Sequence, residues 1–212
     1  MKALVIGATG SIGKFLVDEL LEDAAYRSVV IFVRKATSKV HPKLTEHVVN
    51  FSHLDAYREL IMGDVAFSAL GTTLKVAMLK EKQWRIGFDI PARFAELARE
   101  NGIASFVLVS SLGASPKSRI FYSKIKGKLE ERIAALYFEQ YIIFKPGPLI
   151  REDSQRMGEK IIIEFLVLLN SLGLLIKFRP LPAELLAEKL AKAPEVLPHG
   201  NFVIKPEEIF LF

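Results

Sequence analysis

A tyrosine and a lysine four residues apart, Tyr122 and Lys126, could perform acid–base chemistry on a hydroxyl or carbonyl group. Residues at this spacing share one face of a helix, so the ammonium group would lie beside the phenol. A free tyrosine has a pKa of about 10, and a nearby positive charge lowers that value by stabilising the phenolate. Such a tyrosine can donate or accept a proton near neutral pH.

A serine at the end of a neighbouring strand could hold the same substrate oxygen. The apolar run 106–109 predicts a buried strand, and Ser110 and Ser111 follow it directly. A second pair with the same spacing, Tyr141 and Lys145, lies in an apolar run that predicts a strand. We therefore expect Tyr141 in the core and assign the acid–base chemistry to the pair on the helix.

Three glycines near the start of the chain predict a phosphate-binding loop. They follow an apolar run, residues 3–6, and precede an amphipathic segment, which together indicate a strand, a tight turn and a helix. Glycines let the main chain approach a pyrophosphate, and the helix N-terminus offers N–H groups to the anion. An ordinary strand–turn–helix connection is the alternative. The residues predicted to bind a dinucleotide here are Gly7, Thr9, Gly10, Ser11, Ile12 and Gly13.

The end of the second predicted strand, residues 29–33, indicates which dinucleotide binds. Arg34 and Lys35 follow this strand, and no acidic residue stands there. An acid at this place would bind the ribose 2′-hydroxyl of NAD, whereas arginine accommodates the 2′-phosphate of NADP. The sequence therefore favours NADP, and a solvated basic turn is the alternative.

The fourth predicted strand, residues 65–70, ends in small and hydroxyl-bearing residues. Small residues at the carboxyl end of a strand allow a ligand to lie close to the backbone. We therefore predict further cofactor contacts from this loop, although a plain polar loop would read the same way. The residues concerned are Leu70, Gly71, Thr72 and Thr73.

Strand and helix patterns alternate along the first 150 residues. Apolar runs predict further strands at residues 47–51 and 141–144, and helical patterns cover residues 14–23, 54–62, 83–101 and 124–136. This alternation predicts an α/β fold, a Rossmann-like doubly wound parallel sheet with helices on both faces. We expect one NAD(P)-binding domain over residues 1–212. It would comprise a Rossmann core, 1–150, and a small C-terminal substrate lobe, 151–212, with helices near 158–171 and 183–193 and a strand-like end at 202–212.

Composition limits the function classes further. The chain has 212 residues, no cysteine and a net charge of +5. The lack of cysteine excludes disulfides and thiolate metal sites, and the four histidines show no metal-ligand spacing. The basic residues are not interleaved with aromatic residues in a nucleic-acid-binding module, so we expect no nucleic-acid partner. Because the sequence opens on a core strand, we expect no signal peptide and a cytoplasmic location.

The apolar segment 161–178 is nearly long enough to span a membrane. It contains Glu164 and Asn170, and a charge at the centre of a membrane helix costs about 2.5–3.5 kcal/mol on insertion scales. We therefore expect no membrane span. A helix that lines the substrate pocket or forms a homodimer interface is the prediction.

Taken in order, these motifs resemble the short-chain dehydrogenase/reductase superfamily, in its atypical and extended branch. The segments GATGSIG, SALGTT, LVSSLGA, FYSKIKGKLE and FKPGPLI cover about residues 1–150. They are most similar to the Tat-interacting-protein type of NADPH-binding oxidoreductase-like proteins and their bacterial relatives. The resemblance implies a Rossmann fold, NADP binding and a Ser–Tyr–Lys active site.

The resemblance also implies roles for individual residues. Ser111 matches the catalytic serine, with Ser110 as the fallback, and Tyr122 and Lys126 match the catalytic pair. The strand-end turn near the nicotinamide corresponds to Pro146 and Gly147. The family commonly has arginine before this Pro–Gly pair, where this chain has Lys145.

These observations predict an NADP-dependent oxidoreductase that acts on a small carbonyl or alcohol. Lys126 would hold the nicotinamide ribose, Tyr122 would transfer the proton, and Ser111 would orient the substrate oxygen. One alternative is an NADPH-binding redox sensor or partner-binding regulatory protein without turnover, which would need neither Tyr122 nor Lys126. Another is a sugar-nucleotide epimerase or dehydratase, which the short C-terminal region disfavours. The resemblance does not extend to that region, so it predicts no particular substrate.

Overall fold

The computed structural model describes residues 1–72, 77–150 and 180–212, and they form a parallel sheet covered by helices. The strands of the main sheet are β1 (Lys2–Ile6), β2 (Ser28–Val33), β3 (Leu44–Val48), β4 (Val65–Ser68), β5 (Ser105–Val109), β6 (Gln140–Phe144) and β9 (Gly200–Ile204). Their order is β3-β2-β1-β4-β5-β6-β9, and all neighbours are parallel. A separate pair joins β7 (Leu149–Ile150) to β8 (Leu181–Pro182).

Helices cover both faces of this sheet. They are α1 (Gly13–Glu22), a kinked 3-10 helix (Phe51–Leu60), α2 (Lys80–Trp84), a π-helical turn (Arg85–Asp89), α3 (Ile90–Glu100), α4 (Phe121–Ala134), α5 (Ala183–Val196) and α6 (Pro206–Ile209). Alternate residues of β1 point to opposite faces. Val5 joins the core that contains Leu16 and Leu190, whereas Leu4 joins the core that contains Phe94 and Leu129.

The predicted α/β fold is therefore confirmed, and the central strands lie close to their predicted positions. Strands buried on both faces appear in a sequence as continuous apolar runs. The edge strand β3 differs, because it covers Leu44–Val48 and not 47–51. Its residues are only half-buried or exposed, and the apolar residues that follow it lead into the 3-10 helix, which replaces the predicted α-helix 54–62.

The C-terminal residues extend the main sheet. Strand β9 pairs with β6, and α5 packs beside α1, where the Tyr26 hydroxyl donates a hydrogen bond of 2.6 Å to the Ala191 carbonyl. Residues 183–204 thus extend the sheet and its helical layer. The expected division into a core, 1–150, and a small C-terminal substrate lobe, 151–212, stays a prediction. Because proline has no N–H to continue the ladder, Pro206 instead begins α6.

The remainder of the expected lobe, residues 151–179, lies outside the described residues. The apolar segment 161–178 falls within it, so its burial and the homodimer stay predictions. Within the described ranges, no helix combines the length and the apolar character needed to cross a membrane.

Candidate cofactor-binding and active site

The glycine loop between β1 and α1 packs so tightly that side chains are excluded from it. Gly7 has a positive φ of 83°, and a Cβ there would lie 2.7 Å from the backbone nitrogen of Leu70. A Cβ at Gly13 would lie 2.0 Å from the carbonyl oxygen of Gly7. The first residue of α1 follows Ile12, which makes no side-chain capping hydrogen bond. The helix N-terminus is thus suited to an anion, and the binding of a phosphate there stays a prediction.

Two adjoining cavities open at the carboxyl ends of the strands, above this loop. The larger has a volume of about 460 Å³ and the smaller about 280 Å³. Both are lined by Gly10 and by the loop after β4, residues 69–72. They lie where the strand order reverses between β1 and β4, the usual ligand position in doubly wound sheets.

The larger cavity brings together residues from five separate segments, including the glycine loop and the loop after β4. Ser111 follows β5, Tyr122 and Lys126 lie on α4, and Pro146 and Gly147 follow β6. The predicted site residues that line it are Gly10, Ser11, Ile12, Leu70, Gly71, Thr72, Ser111, Tyr122, Lys126, Pro146 and Gly147.

Lys126 is held by two backbone carbonyl groups. Its Nζ donates hydrogen bonds of 3.0 Å to the oxygen of Leu70 and 2.8 Å to the oxygen of Val109. Val109 is the last residue of β5, and Leu70 lies in the loop after the neighbouring strand β4. An ammonium group has three N–H donors, so these two bonds leave one for a ligand in the cavity.

The phenol of Tyr122 and the ammonium of Lys126 converge near Gly71. A Cβ at Gly71 would lie 3.8 Å from the lysine Nζ and 4.0 Å from the tyrosine oxygen. The two groups are therefore neighbours in the cavity wall, and the lack of a side chain at Gly71 keeps the space before them open.

Burial changes the acidity of Lys126. Its side chain is almost fully buried, and the loss of hydration lowers its pKa to about 8, while the negative charge of Glu130 acts in the opposite direction. The group consequently stays mostly protonated at neutral pH. A cation in this position stabilises a neighbouring phenolate.

The two serines after β5 have different surroundings. The Ser110 hydroxyl donates a hydrogen bond to Oε1 of Glu130. The Ser111 hydroxyl is buried and has no hydrogen-bond partner among the described residues. A buried polar group without a partner is costly, so this hydroxyl is available for a ligand in the cavity, whereas that of Ser110 is engaged.

The smaller cavity is lined by Arg34, which follows β2, and by apolar side chains that suit a purine ring. Gly7 and Thr9 line it too. Two other predicted cofactor residues do not line either cavity: Lys35 is exposed beside Arg34, and Gly13 packs beneath the loop. Thr73 lies outside the described residues.

Sequence reasoning missed several residues of the smaller cavity. Lys82 on α2 adds a second positive charge to its wall, and Phe51 and Ile86 add apolar surface. Lys82 follows no strand and belongs to no motif, so the sequence carried no signal for it. Phe51 could have been found, because it lies shortly after β3 and strand ends line the site in this fold.

Together these features fit a dinucleotide. The glycine loop admits a pyrophosphate at the start of α1, and each adjoining cavity can take one nucleoside half. Lys126 would bind the ribose beside the nicotinamide, and Arg34 would lie near the adenosine ribose.

Comparison with known proteins agrees with this interpretation. A family model described as NAD(P)H-binding matches residues 7–158. The mitochondrial protein FMP52 of Saccharomyces cerevisiae is 36% identical over 166 residues, which cover 74% of this chain and 71% of the relative. The protein HTATIP2 of Rattus norvegicus is 34% identical over 161 residues, 73% of this chain and 66% of the relative.

Solved structures show the same fold. UDP-glucose 4-epimerase of Thermotoga maritima, solved with UDP-glucose, superposes with a TM-score of 0.72 over 96% of this chain and 76% of that one, at 14% identity.

The name of the yeast relative places that protein in mitochondria, so the cytoplasmic location of this chain stays a prediction. The match over residues 7–158 and the relatives above 30% identity establish that this chain belongs to the NAD(P)H-binding family.

Proposed function

We propose that this chain is an NADP-dependent oxidoreductase that transfers hydride to or from a small carbonyl or alcohol. The observation that carries the proposal is the convergence of Ser111, Tyr122 and Lys126 on one cavity next to the glycine loop. Each of the three comes with the chemistry that its role needs. Ser111 offers a hydroxyl with no hydrogen-bond partner in the described part of the chain, Tyr122 offers a phenol, and Lys126 offers a buried cation.

In the proposed reaction these side chains act on the substrate oxygen. Ser111 donates a hydrogen bond to that oxygen and fixes its position, and Tyr122 passes a proton to it in reduction or removes one in oxidation. Lys126 favours the phenolate form of the tyrosine and binds the ribose with its remaining donor. The bound cofactor would supply or accept the hydride at its nicotinamide ring.

The preference for NADP over NAD is supported by the charge of the smaller cavity. Arg34 and Lys82 both line it, and Arg34 follows β2 at the place where arginine accommodates a 2′-phosphate. A phosphate bound between two cations gains charge-assisted hydrogen bonds that a hydroxyl does not make.

The experiment is a measurement of NADPH oxidation against a panel of small aldehydes and ketones, and of NADP reduction by the matching alcohols. Tyr122→Phe should lower kcat by at least about 100-fold, because proton transfer by a positioned side chain contributes 10²- to 10⁴-fold. The Kd for NADPH should stay nearly unchanged, since the phenol oxygen contributes little to cofactor binding. Tyr137→Phe is the matched control, because Tyr137 is exposed and lines neither cavity.

Three results would overturn the proposal. Equal rates for Tyr122→Phe and the unmodified protein would remove the tyrosine from the chemistry. NADPH binding without turnover of any substrate would favour the redox sensor or regulatory protein. Interconversion of a sugar nucleotide with no net change in the bound dinucleotide would favour the epimerase.

A further inference from the structure

A partly buried carboxylate, Glu130, lies one helical turn after Lys126 on α4 and has no role in the chemistry described so far. Its side chain is only 13% exposed. One carboxylate oxygen accepts the hydrogen bond of the Ser110 hydroxyl, and the other forms an ion pair of 2.8 Å with Nζ of Lys145. Both oxygens of the carboxylate are thus engaged, each by a different segment of the chain.

The two partners of Glu130 stand directly before residues of the larger cavity. Ser110 precedes Ser111 at the end of β5, and Lys145 precedes Pro146 at the end of β6. The two strand ends are also joined by their backbones, because the N–H of Leu112 donates a 2.9 Å hydrogen bond to the Pro146 carbonyl. One side chain on α4 therefore fastens both segments to the helix that carries Tyr122 and Lys126.

We propose that Glu130 is a positioning residue, which sets Ser111 and the Pro146–Gly147 turn against Tyr122 so that serine and tyrosine reach the same substrate oxygen. This inference rests on the proposed function. The serine and the tyrosine come from different elements, and nothing within α4 alone fixes the distance between them. A displacement of about 1 Å between such groups is enough to lower a rate by roughly 100-fold.

The proposed positioning requires the negative charge of Glu130 as well as the length of its side chain. Lys145 is 22% exposed, so removal of the carboxylate charge leaves a mostly buried ammonium without its partner, and such a group moves towards water. That movement would shift the Pro146–Gly147 turn. The same carboxylate opposes the effect of burial on Lys126 and helps to keep that side chain protonated.

The test compares Glu130→Gln with Glu131→Gln, the next residue along α4, which is exposed and touches neither cavity. Glutamine keeps the length and the acceptor for Ser110 but removes the charge. We expect Glu130→Gln to lower kcat at least about tenfold, with the Kd for NADPH changed by less than about threefold. Glu131→Gln should match the unmodified protein in both measurements.

A double-mutant cycle shows whether Glu130 acts through Lys145. If it does, Lys145→Met lowers kcat on its own, and adding it to Glu130→Gln causes little further loss, because both variants break one interaction. Fully additive losses of kcat in the double variant would show that Glu130 does not act through Lys145. A lower melting temperature with unchanged kcat, measured well below the transition, would reduce Glu130 to a stabilising residue and overturn the proposal.

Amide hydrogen exchange separates this inference from the proposed function. If the unmodified protein binds NADPH but turns over no substrate, the proposed oxidoreductase function is wrong. The effect of Glu130 on the two strand ends can still be measured. Glu130→Gln should then speed exchange at the amide of Leu112, which reports the link between the two strand ends, and leave the amides of β2 unchanged. Equal exchange at Leu112 in both proteins would overturn the positioning role independently of any activity.

Discussion

Ser110 and Ser111 are adjacent in the chain, but within the described ranges only one of their hydroxyl groups forms a hydrogen bond with the protein. The hydroxyl of Ser110 donates to the carboxylate of Glu130, whereas that of Ser111 lies buried at the larger cavity with no partner among the described residues. The sequence left a choice between these serines, and the structure supplies a physical reason to prefer Ser111.

This difference predicts unequal effects of two neighbouring substitutions. Ser111→Ala should lower kcat about 100-fold, because the substrate oxygen loses a preorganised hydrogen-bond donor. Ser110→Ala should cause a much smaller loss, since its hydroxyl acts only through Glu130. Steady-state kinetics of both variants with the same substrate decide the matter, and a larger loss for Ser110→Ala would reverse the assignment.

Cofactor preference should depend on Arg34 and not on Lys35. We expect NADPH to bind at least about tenfold more tightly than NADH, and Arg34→Ala to remove most of that difference. Lys35→Ala is the matched control, since Lys35 lies next in the chain but lines neither cavity. Fluorescence titration of the three proteins with both cofactors measures the six affinities. Equal binding of NADPH and NADH by the unmodified protein would contradict the preference itself.

Lys82 should contribute to the same preference, because it also lines the smaller cavity. Lys82→Met should weaken NADPH binding more than NADH binding, because only NADPH carries the additional phosphate near these cations. The same titration measures this effect. If Lys82→Met weakens both cofactors equally, the lysine acts on the shared part of the dinucleotide.

Stability of the cofactor-free protein should rise with pH because of Lys126. Burial lowers the pKa of Lys126 from 10.5 to about 8. Between these values the unfolded chain binds more protons than the folded one, so the free energy of unfolding increases as pH rises. The penalty of about 3 kcal/mol is fully present below pH 8 and disappears above pH 10.5.

Lys126→Met removes that ionisation and isolates its contribution. The stability of the unmodified protein relative to the variant should increase between about pH 7 and about pH 10, by up to about 3 kcal/mol. Denaturant unfolding of both proteins across this range supplies the difference. Parallel curves would show that the ammonium group is not destabilised in the folded protein.

The glycine loop should tolerate no methyl group at Gly13. A Cβ there would lie 2.0 Å from the Gly7 carbonyl oxygen, so Gly13→Ala must displace the loop and should weaken NADPH binding at least about tenfold. Gly102→Ala is the control. Gly102, unlike Gly13, has a positive φ, but a Cβ there has no atom within 4 Å, so this variant should lose stability alone.

Much of the fold was predictable from the sequence because the central strands are buried on both faces. Their apolar runs leave little ambiguity, and the glycine loop fixes where the first strand ends.

The π-helical turn Arg85–Asp89 was not predictable. A helical period describes residues 83–101 as one α-helix, whereas the structure begins the helix at Lys80 and widens it near Gly87, where a Cβ would lie 2.9 Å from Ile125.

The candidate site was predictable where its residues belong to motifs at strand ends. Glu130 and Lys82 belong to no such pattern. Glu130 appears in the sequence as one of many charged residues on an amphipathic helix, and a charged residue on a helix is usually solvated. Its two partners come from strands β5 and β6, and only the packing of α4 against them shows that the side chain is enclosed.

The backbone of Leu70 contacts both the glycine loop and Lys126. Its nitrogen lies where any side chain at Gly7 would have to go, and its carbonyl oxygen accepts the hydrogen bond of Lys126. A bulkier residue at Gly7 would therefore displace the Leu70 backbone, and with it the carbonyl oxygen that binds Lys126 on α4. Assays of such a variant would show a lower kcat together with weaker cofactor binding. Both defects would come from the same displacement of the Leu70 backbone.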